Sequence, residues 1–207
     1  MMRIIAGIAR GRRLTAPRGT ATRPTADRAK EAIFSSWQQR FGIEGTRVLD
    51  LFAGTGALGL EALSRGAERV VLVEDSAPAA AAIRANIGAV GLPGAELAEM
   101  RASTYLAGAP AGYFDRVIAD PPYELADAAV TEMLAALRPA LAADAVVTVE
   151  RSAADPATTW PAGYAELVQK AKRKTHGRAR FDTAIWVGPA AGDAAAAPEA
   201  AAGEGPR

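Results

Sequence analysis

Residues 47–59 read Arg47-Val-Leu-Asp-Leu-Phe-Ala-Gly-Thr-Gly-Ala-Leu-Gly59. An apolar run ends in an acid and an aromatic, then turns through a glycine-rich loop into an alanine- and leucine-rich segment. A buried strand, a tight turn and a helix are the expected reading. Gly54, Gly56 and Gly59 satisfy the spacing G-x-G-x-x-G, and Glu74 closes the next apolar run, Arg69–Val73. In nucleotide-binding α/β folds, such glycines let a ligand approach the backbone, and the second acid grips ribose hydroxyls.

Outward from this unit the pattern alternates. A helical stripe of Ala26, Ala29, Ile33, Phe34 and Trp37 precedes it. A helix from Ala57 to Arg65 stops at Gly66, and Ser76 opens another that runs to Val90 and stops at Gly91. A weak strand is expected near 96–100, a strand at 116–119, a helix at 124–137, and strands at 145–150, 164–170 and 182–187. Strands separated by helices imply an α/β fold with a mostly parallel sheet and right-handed crossovers. The last two strands lack an intervening helix and should pair antiparallel at one edge. Arg3–Gly7 and Arg12–Ala16 read as an N-terminal β-hairpin around Arg10-Gly11. Three parts are expected: a basic extension (1–24), the α/β domain (25–187) and a disordered Ala/Gly/Pro tail (188–207).

The ligand of the glycine loop follows from Asp50. A carboxylate at the carboxyl end of the first core strand repels a pyrophosphate and attracts a cation. S-adenosylmethionine carries an ammonium and a sulfonium and no phosphate. The expected roles are Asp50 near the aminoacyl end, Gly54 and Gly56 as backbone floor, Glu74 on the ribose, and Asp75 and Ser76 beside the adenosine. A nicotinamide cofactor stays open as an alternative.

Val117-Ile-Ala-Asp-Pro-Pro-Tyr123 is the second chemical signal. Two prolines donate no N–H and hold φ near −65°, giving a stiff array of acceptors. Asp120 and the Pro121 carbonyl suit the two N–H bonds of an exocyclic amine, and Tyr123 suits stacking on its base. Pro122 completes the rigid corner. Methyl transfer to such an amine needs mainly positioning and electrostatics, and the base must be unpaired or flipped out.

The chain has 207 residues, no cysteine and a net charge of +1. The absence of cysteine excludes disulfides, zinc–thiolate sites and thiol nucleophiles. Of its apolar residues 51 are alanine, yet enough Leu, Val, Ile and aromatics remain for one core. No run approaches the length of a membrane span and no secretory leader is recognisable, so a cytoplasmic monomer without metal is expected. Charge is segregated: residues 1–40 carry +7, residues 170–180 carry +6, and the remainder −12. Clustered Arg and Lys gain from phosphate neutralisation, which points to a polyanion. Arg10, Arg12 and Arg13 on the hairpin and Arg23, Arg28 and Lys30 around the first helix are the candidate RNA contacts.

Three segments together resemble the bacterial 16S ribosomal RNA guanine N2-methyltransferases (RsmD-like): Asp50-Leu-Phe-Ala-Gly-Thr-Gly-Ala-Leu-Gly-Leu-Glu61, Asp120-Pro-Pro-Tyr123, and the leader Gly11-Arg-Arg-Leu14 with Thr22-Arg-Pro-Thr-Ala-Asp-Arg28. The resemblance spans about residues 2–187. It implies a class I S-adenosylmethionine-dependent methyltransferase, Rossmann-like with a seven-stranded sheet, and methylation of a guanine amine in 16S rRNA or a small-subunit assembly particle. It extends the candidate cofactor contacts to Phe52, Ala53 and Leu58. Members of that family carry an acid after the third core strand. This chain has Met100-Arg-Ala-Ser-Thr104 there, which makes Ser103 the candidate adenine contact. They also carry Tyr-Gly ahead of the last strand, where this chain has His176-Gly177 or Arg180-Phe181. A DNA adenine N6-methyltransferase and a non-catalytic RNA-binding assembly factor remain the other functional readings.

Overall fold

The fold is that of a computed structural model, which describes residues 2–17, 24–167, 175–176 and 179–189; for 24–29 and 175–176 only the backbone is described. Helix α1 (Pro24–Arg40) precedes β1 (Arg47–Leu51), α2 (Ala57–Ser64), β2 (Arg69–Glu74), α3 (Ala77–Val90), β3 (Ala95–Glu99), α4 (Ala102–Ala107), β4 (Phe114–Ala119) and α5 (Asp127–Leu137). After a short 3-10 turn come β5 (Leu141–Ser152), β6 (Tyr164–Glu166), β7 (Thr175–His176) and β8 (Ala179–Trp186).

The strand order is β3-β2-β1-β4-β5-β8-β6, with β7 paired to β8 off this path. Strands β1 to β5 are parallel, whereas β8 runs antiparallel to β5 and to β6. The expected antiparallel pair therefore exists, but β8 lies between β6 and the parallel strands. The chain leaves β1 toward one edge through β2 and β3, then returns to the other side of β1 as β4. The crevice between the carboxyl ends of β1 and β4 is thus the topological switch point, where open α/β sheets bind ligands.

Side-chain alternation divides the core. Val48, Val70, Leu72, Ile118 and Val146 pack under Ile33, Phe34 and Trp37 of α1, Leu60 of α2 and Ile83 of α3. Leu49, Leu51, Val71, Val117 and Val147 pack on the opposite face with Leu106 of α4 and Val130, Leu134 and Leu137 of α5. The strand period of two places Asp50 and Glu74 in phase with the α1–α3 face, and the same register carries on to Asp120 and Glu150.

The N-terminal segment departs from the expected hairpin. It makes one antiparallel bridge, Arg3 with Arg13, supported by backbone bonds from Ile4 N to Arg12 O and from Leu14 N to Met2 O, both 2.9 Å. The reason lies in α2, whose side chains take the donors that a ladder would use. Glu61, fully buried, accepts the Ile5 N–H at 2.7 Å and the Ala6 N–H at 3.0 Å. Ser64 Oγ accepts the Ala9 N–H at 3.0 Å and donates to the Ala6 carbonyl at 2.6 Å. Gly7, at φ +83°, passes so close to α2 that a Cβ there would lie 1.8 Å from the Ser64 carbonyl oxygen. The leader is a loop clasped to α2. Its first half, Ile4 and Ala9 included, belongs to the main core.

Helix α4 was not expected; Ala102–Ala107 is too short and too polar to show a helical period. Among the described residues no helix is long and apolar enough to cross a membrane. The expected tail lies outside the described residues from position 190 onward.

Candidate active site

The glycine loop begins with a backbone constraint. Phe52, which follows β1, has φ +62°, a conformation that costs a non-glycine residue energy and gathers at functional turns. The turn is pinned from β2: Ala53 N donates to the Val73 carbonyl at 2.9 Å, and Gly54 N donates to Glu74 Oε2 at 2.7 Å. Glu74 Oε1 accepts the Ser76 N–H at 2.9 Å. One carboxylate therefore holds the first turn and the entry to α3 together while Glu74 itself stays partly exposed. Asp75 and Ser76 are exposed beside it. Ser76 occupies the N-cap position of α3 without a side-chain capping bond.

Asp50 lies beneath the loop with no exposed surface. Its Oδ2 accepts the Gly59 N–H at 2.8 Å, one of the orphan donors in the first turn of α2. Gly59 permits the contact because a Cβ there would stand 2.4 Å from Leu72 and 2.7 Å from Val70. Asp50 Oδ1 is buried and has no hydrogen-bond partner among the described residues. Burial, reinforced by the charge of Glu74 and opposed by the Gly59 bond, pushes the Asp50 carboxyl up to about 7. A buried, half-satisfied carboxylate is costly unless a donor or cation completes it.

Asp120 follows β4 directly, and its N–H donates to the Leu51 carbonyl at 3.2 Å. That bond ties the Asp-Pro-Pro-Tyr corner to the end of β1, so the two motifs share one sheet edge. Pro121 is buried and Pro122 exposed. The Pro122 carbonyl accepts the Leu125 N–H at 2.9 Å, closing the turn. Tyr123 is 49% exposed. Its hydroxyl donates to Glu150 Oε1 at 3.1 Å. Burial, then the charges of Glu150 and Asp50, push Asp120 up to about 8. Burial also raises Glu150, against the Tyr123 hydrogen bond.

Sequence reasoning missed Glu150. Its signal was present in the same form as that of Asp50, Glu74 and Asp120: an acid at the carboxyl end of an apolar strand, here Val146-Val-Thr-Val149. The register Leu51↔Ala119 and Ala119↔Val149 puts Phe52, Asp120 and Glu150 at one level. Asn86 was missed as well. It is fully buried in α3 and bonds both the leader and the Thr55 carbonyl.

The other expected contacts are dispersed. Ala53 and Leu58 are partly buried in the loop and in α2, packed against the main core, and Phe52 packs toward the α4–α5 side. Ser103 is exposed on α4, after β3. Arg10 and Arg13 are exposed on the leader, and Arg3, also exposed, faces Arg13 across the bridge. The Arg12 guanidinium bonds the Ala89 and Val90 carbonyls at the end of α3, a favourable position at a helix C-terminus. The grouping of Lys30 with the phosphate contacts is revised: its side chain is buried and Nζ donates to the Arg3 carbonyl at 3.2 Å, bracing the leader. Arg23 lies outside the described residues, and of Arg28 only the backbone on α1 is described. Most of the basic 170–180 segment also lies outside them. Arg180 is described, and it is held by Asp182 and the carbonyls of Asp155 and Pro156. Among the described residues no three His, Cys, Asp or Glu side chains are grouped to hold a metal.

A cavity of about 580 Å³ lies at the opposite, amino edge of the sheet, lined by Arg47, Glu68, Tyr113, Asp115 and Arg116 among others. Its arginines are engaged: Arg47 pairs with Asp115 at 3.0 Å, and Arg116 bonds the carbonyls of Phe41, Gly42 and Asp115.

Known proteins agree with this architecture. An Escherichia coli protein named ribosomal RNA small subunit methyltransferase D is 34% identical over 165 residues, 79% of this chain and 81% of that one. A Bacillus subtilis protein described as a candidate rRNA methyltransferase is 48% identical over 86 residues, 42% of this chain and 46% of that one, so the match spans about half its length. A solved Escherichia coli structure, described as a candidate methyltransferase, superposes with a TM-score of 0.77 at 28% identity, covering 90% of this chain and 98% of that chain. The family described as Conserved hypothetical protein 95 matches residues 2–183. The fold is thus that of the class I methyltransferases, and the chain belongs to that family, which includes the ribosomal RNA small subunit methyltransferase D proteins.

Proposed function

We propose that this chain is an S-adenosylmethionine-dependent rRNA methyltransferase acting on the exocyclic N2 amine of a guanine in 16S rRNA. The observation that supports the reading is the shared edge: Asp120 N–H bonds the Leu51 carbonyl, so the Asp-Pro-Pro-Tyr corner lies beside the glycine loop. The residues fit the methyl donor. Asp50 Oδ1, buried without a partner among the described residues, suits an ammonium; Glu74, at the end of β2, suits ribose hydroxyls; Gly54, with open space where a Cβ would stand, lets a ligand approach the loop, whereas Gly56 is buried beneath it. When bound, S-adenosylmethionine supplies an electrophilic methyl group on a sulfonium.

The chain supplies position and proton handling. Asp120 and the Pro121 carbonyl accept the two N–H bonds of the amine and turn its lone pair toward the methyl carbon. Methyl transfer to that nitrogen would leave the donor as a neutral thioether, so the chain's part is to hold the amine and take its surplus proton. The surplus proton on nitrogen leaves to Asp120, whose raised affinity for protons suits it to the task. Tyr123 stacks on the base with its hydroxyl anchored on Glu150. Arg3, Arg10 and Arg13 contact phosphates, and the naming of the Escherichia coli and Bacillus subtilis relatives supports an rRNA substrate. A labelling assay with small-subunit RNA, assembled subunits and duplex DNA tests it. Label is expected in RNA as N2-methylguanosine; label confined to DNA adenine would reject it.

A further inference from the structure

Asn86 joins two segments that the proposed function treats separately. Its Oδ1 accepts the Thr15 N–H at 2.7 Å, and its Nδ2 donates to the Thr15 carbonyl at 2.9 Å and to the Thr55 carbonyl at 2.8 Å. One N–H and two carbonyls fix the orientation of the amide and use both of its donor hydrogens. Thr15 belongs to the basic leader, whereas Thr55 is the residue between Gly54 and Gly56. A second contact links the same two segments: Thr55 Oγ1 donates to the Met2 Sδ at 3.2 Å. Two points of the leader, Met2 and Thr15, thus meet the middle residue of the glycine loop, the second through a fully buried side chain.

This arrangement does more than pack helix against loop. A buried amide is satisfied only while both of its segments are in place, and a buried donor left unmade is costly. Any ligand that fixes the loop therefore favours the leader position that satisfies Asn86, and any ligand that fixes the leader favours the same loop position. Linkage makes that effect reciprocal. The leader also carries Arg3, Arg10 and Arg13, exposed and positive, so the second ligand is the polyanion.

We propose that Asn86 is a positioning residue that couples the leader to the glycine loop, so that RNA on the leader and methyl donor in the loop strengthen each other's binding. This rests on the reading of the loop as the S-adenosylmethionine site. Asn86 touches neither ligand and acts through Thr15 and Thr55.

The test uses residue-resolved amide exchange on the full chain with S-adenosylhomocysteine. In the wild type, the Thr15 N–H is expected to slow at least about threefold together with Gly54 and Gly56, although Thr15 lies in the leader. Slowing of Gly54 and Gly56 with Thr15 unchanged would overturn the coupling and leave the cofactor reading intact. No response at any of the three would overturn both. A second arm measures S-adenosylhomocysteine affinity with and without a small-subunit RNA fragment. The wild type is expected to bind at least about threefold tighter with RNA present, and Asn86→Ser to bring that ratio to about one. An equal ratio in the two proteins would also overturn the coupling. Should Asn86→Ser fail to fold, the wild-type exchange experiment decides alone.

Discussion

The hydroxyl of Tyr123 donates to Glu150 Oε1 across 3.1 Å, so the aromatic of the Asp-Pro-Pro-Tyr corner is aimed by an acid from the neighbouring strand. The ring remains half exposed, as a stacking platform requires. Tyr123→Phe keeps the ring and loses the anchor. A net hydrogen bond of about 0.5–1.5 kcal/mol predicts a two- to tenfold fall in kcat/KM. Tyr123→Ala also loses stacking, about 1–3 kcal/mol per base, which predicts a rise of about 5- to 150-fold in the KM for RNA with the KM for S-adenosylmethionine unchanged. Steady-state kinetics with each substrate varied separates the two.

The carboxylates at this edge set a pH profile. Asp120, raised to about 8 by burial, then by Glu150 and Asp50, is protonated below that value and then accepts amine N–H bonds poorly. Activity measured as kcat/KM is expected to rise with pH toward a plateau above about 8. Glu150→Gln removes a negative neighbour and is expected to move the limb to lower pH. A limb that stays in place would show that Glu150 does not act on Asp120 by charge.

The same shifts predict how stability depends on pH. Asp50 and Asp120 hold protons in the folded state up to about 7 and about 8, against about 3.9 when unfolded. Between those values the folded state binds more protons, so stability falls as pH rises from about 4 to 8. Asp115 and Asp182 are shifted the other way by Arg47 and by Arg180 with Thr158, burial opposing in both cases. Their contribution is lost as pH falls below the ordinary carboxylate range. Urea denaturation is expected to show greatest stability near pH 4, where the two opposing trends meet, and Asp50→Asn to flatten the decline toward pH 8.

Leader arginines and Lys30 are expected to behave differently. Arg10→Ala and Arg13→Ala should each weaken RNA binding and reduce the salt slope by about one, with thermal stability unchanged. Lys30→Ala should destabilise the chain by about 1–2 kcal/mol through the lost bond to Arg3 and the lost packing, with the salt slope intact. Binding titrations at several salt concentrations, beside melting curves, distinguish them.

Much of this molecule was legible in the order of its residues. The alternation of strands and helices, the glycine loop, and the acids Asp50, Glu74 and Asp120 at strand ends are local patterns, and each lies where its pattern implies. What stayed hidden depends on distant partners. The leader became a clasped loop because Glu61 and Ser64, over 50 residues away, take its backbone donors. Asn86 looked like one more polar residue of α3, since its partners lie 71 and 31 residues away. Glu150 acquires its role only once β5 lies beside β4. Lys30 shares the sequence neighbourhood of several arginines, yet the helix turns it inward.

The corner at Asp120 is proposed to orient an amine beside the methyl donor. The direct measurement is transfer of labelled methyl from S-adenosylmethionine to small-subunit RNA by wild type and Asp120→Ala, with S-adenosylhomocysteine affinity and folding measured on the same preparations. N2-methylguanosine is expected from the wild type, and a loss of at least about 100-fold in rate for a folded variant whose S-adenosylhomocysteine affinity stays within about threefold. Undiminished transfer by that variant would contradict the proposal, as would a wild type that leaves the RNA unlabelled.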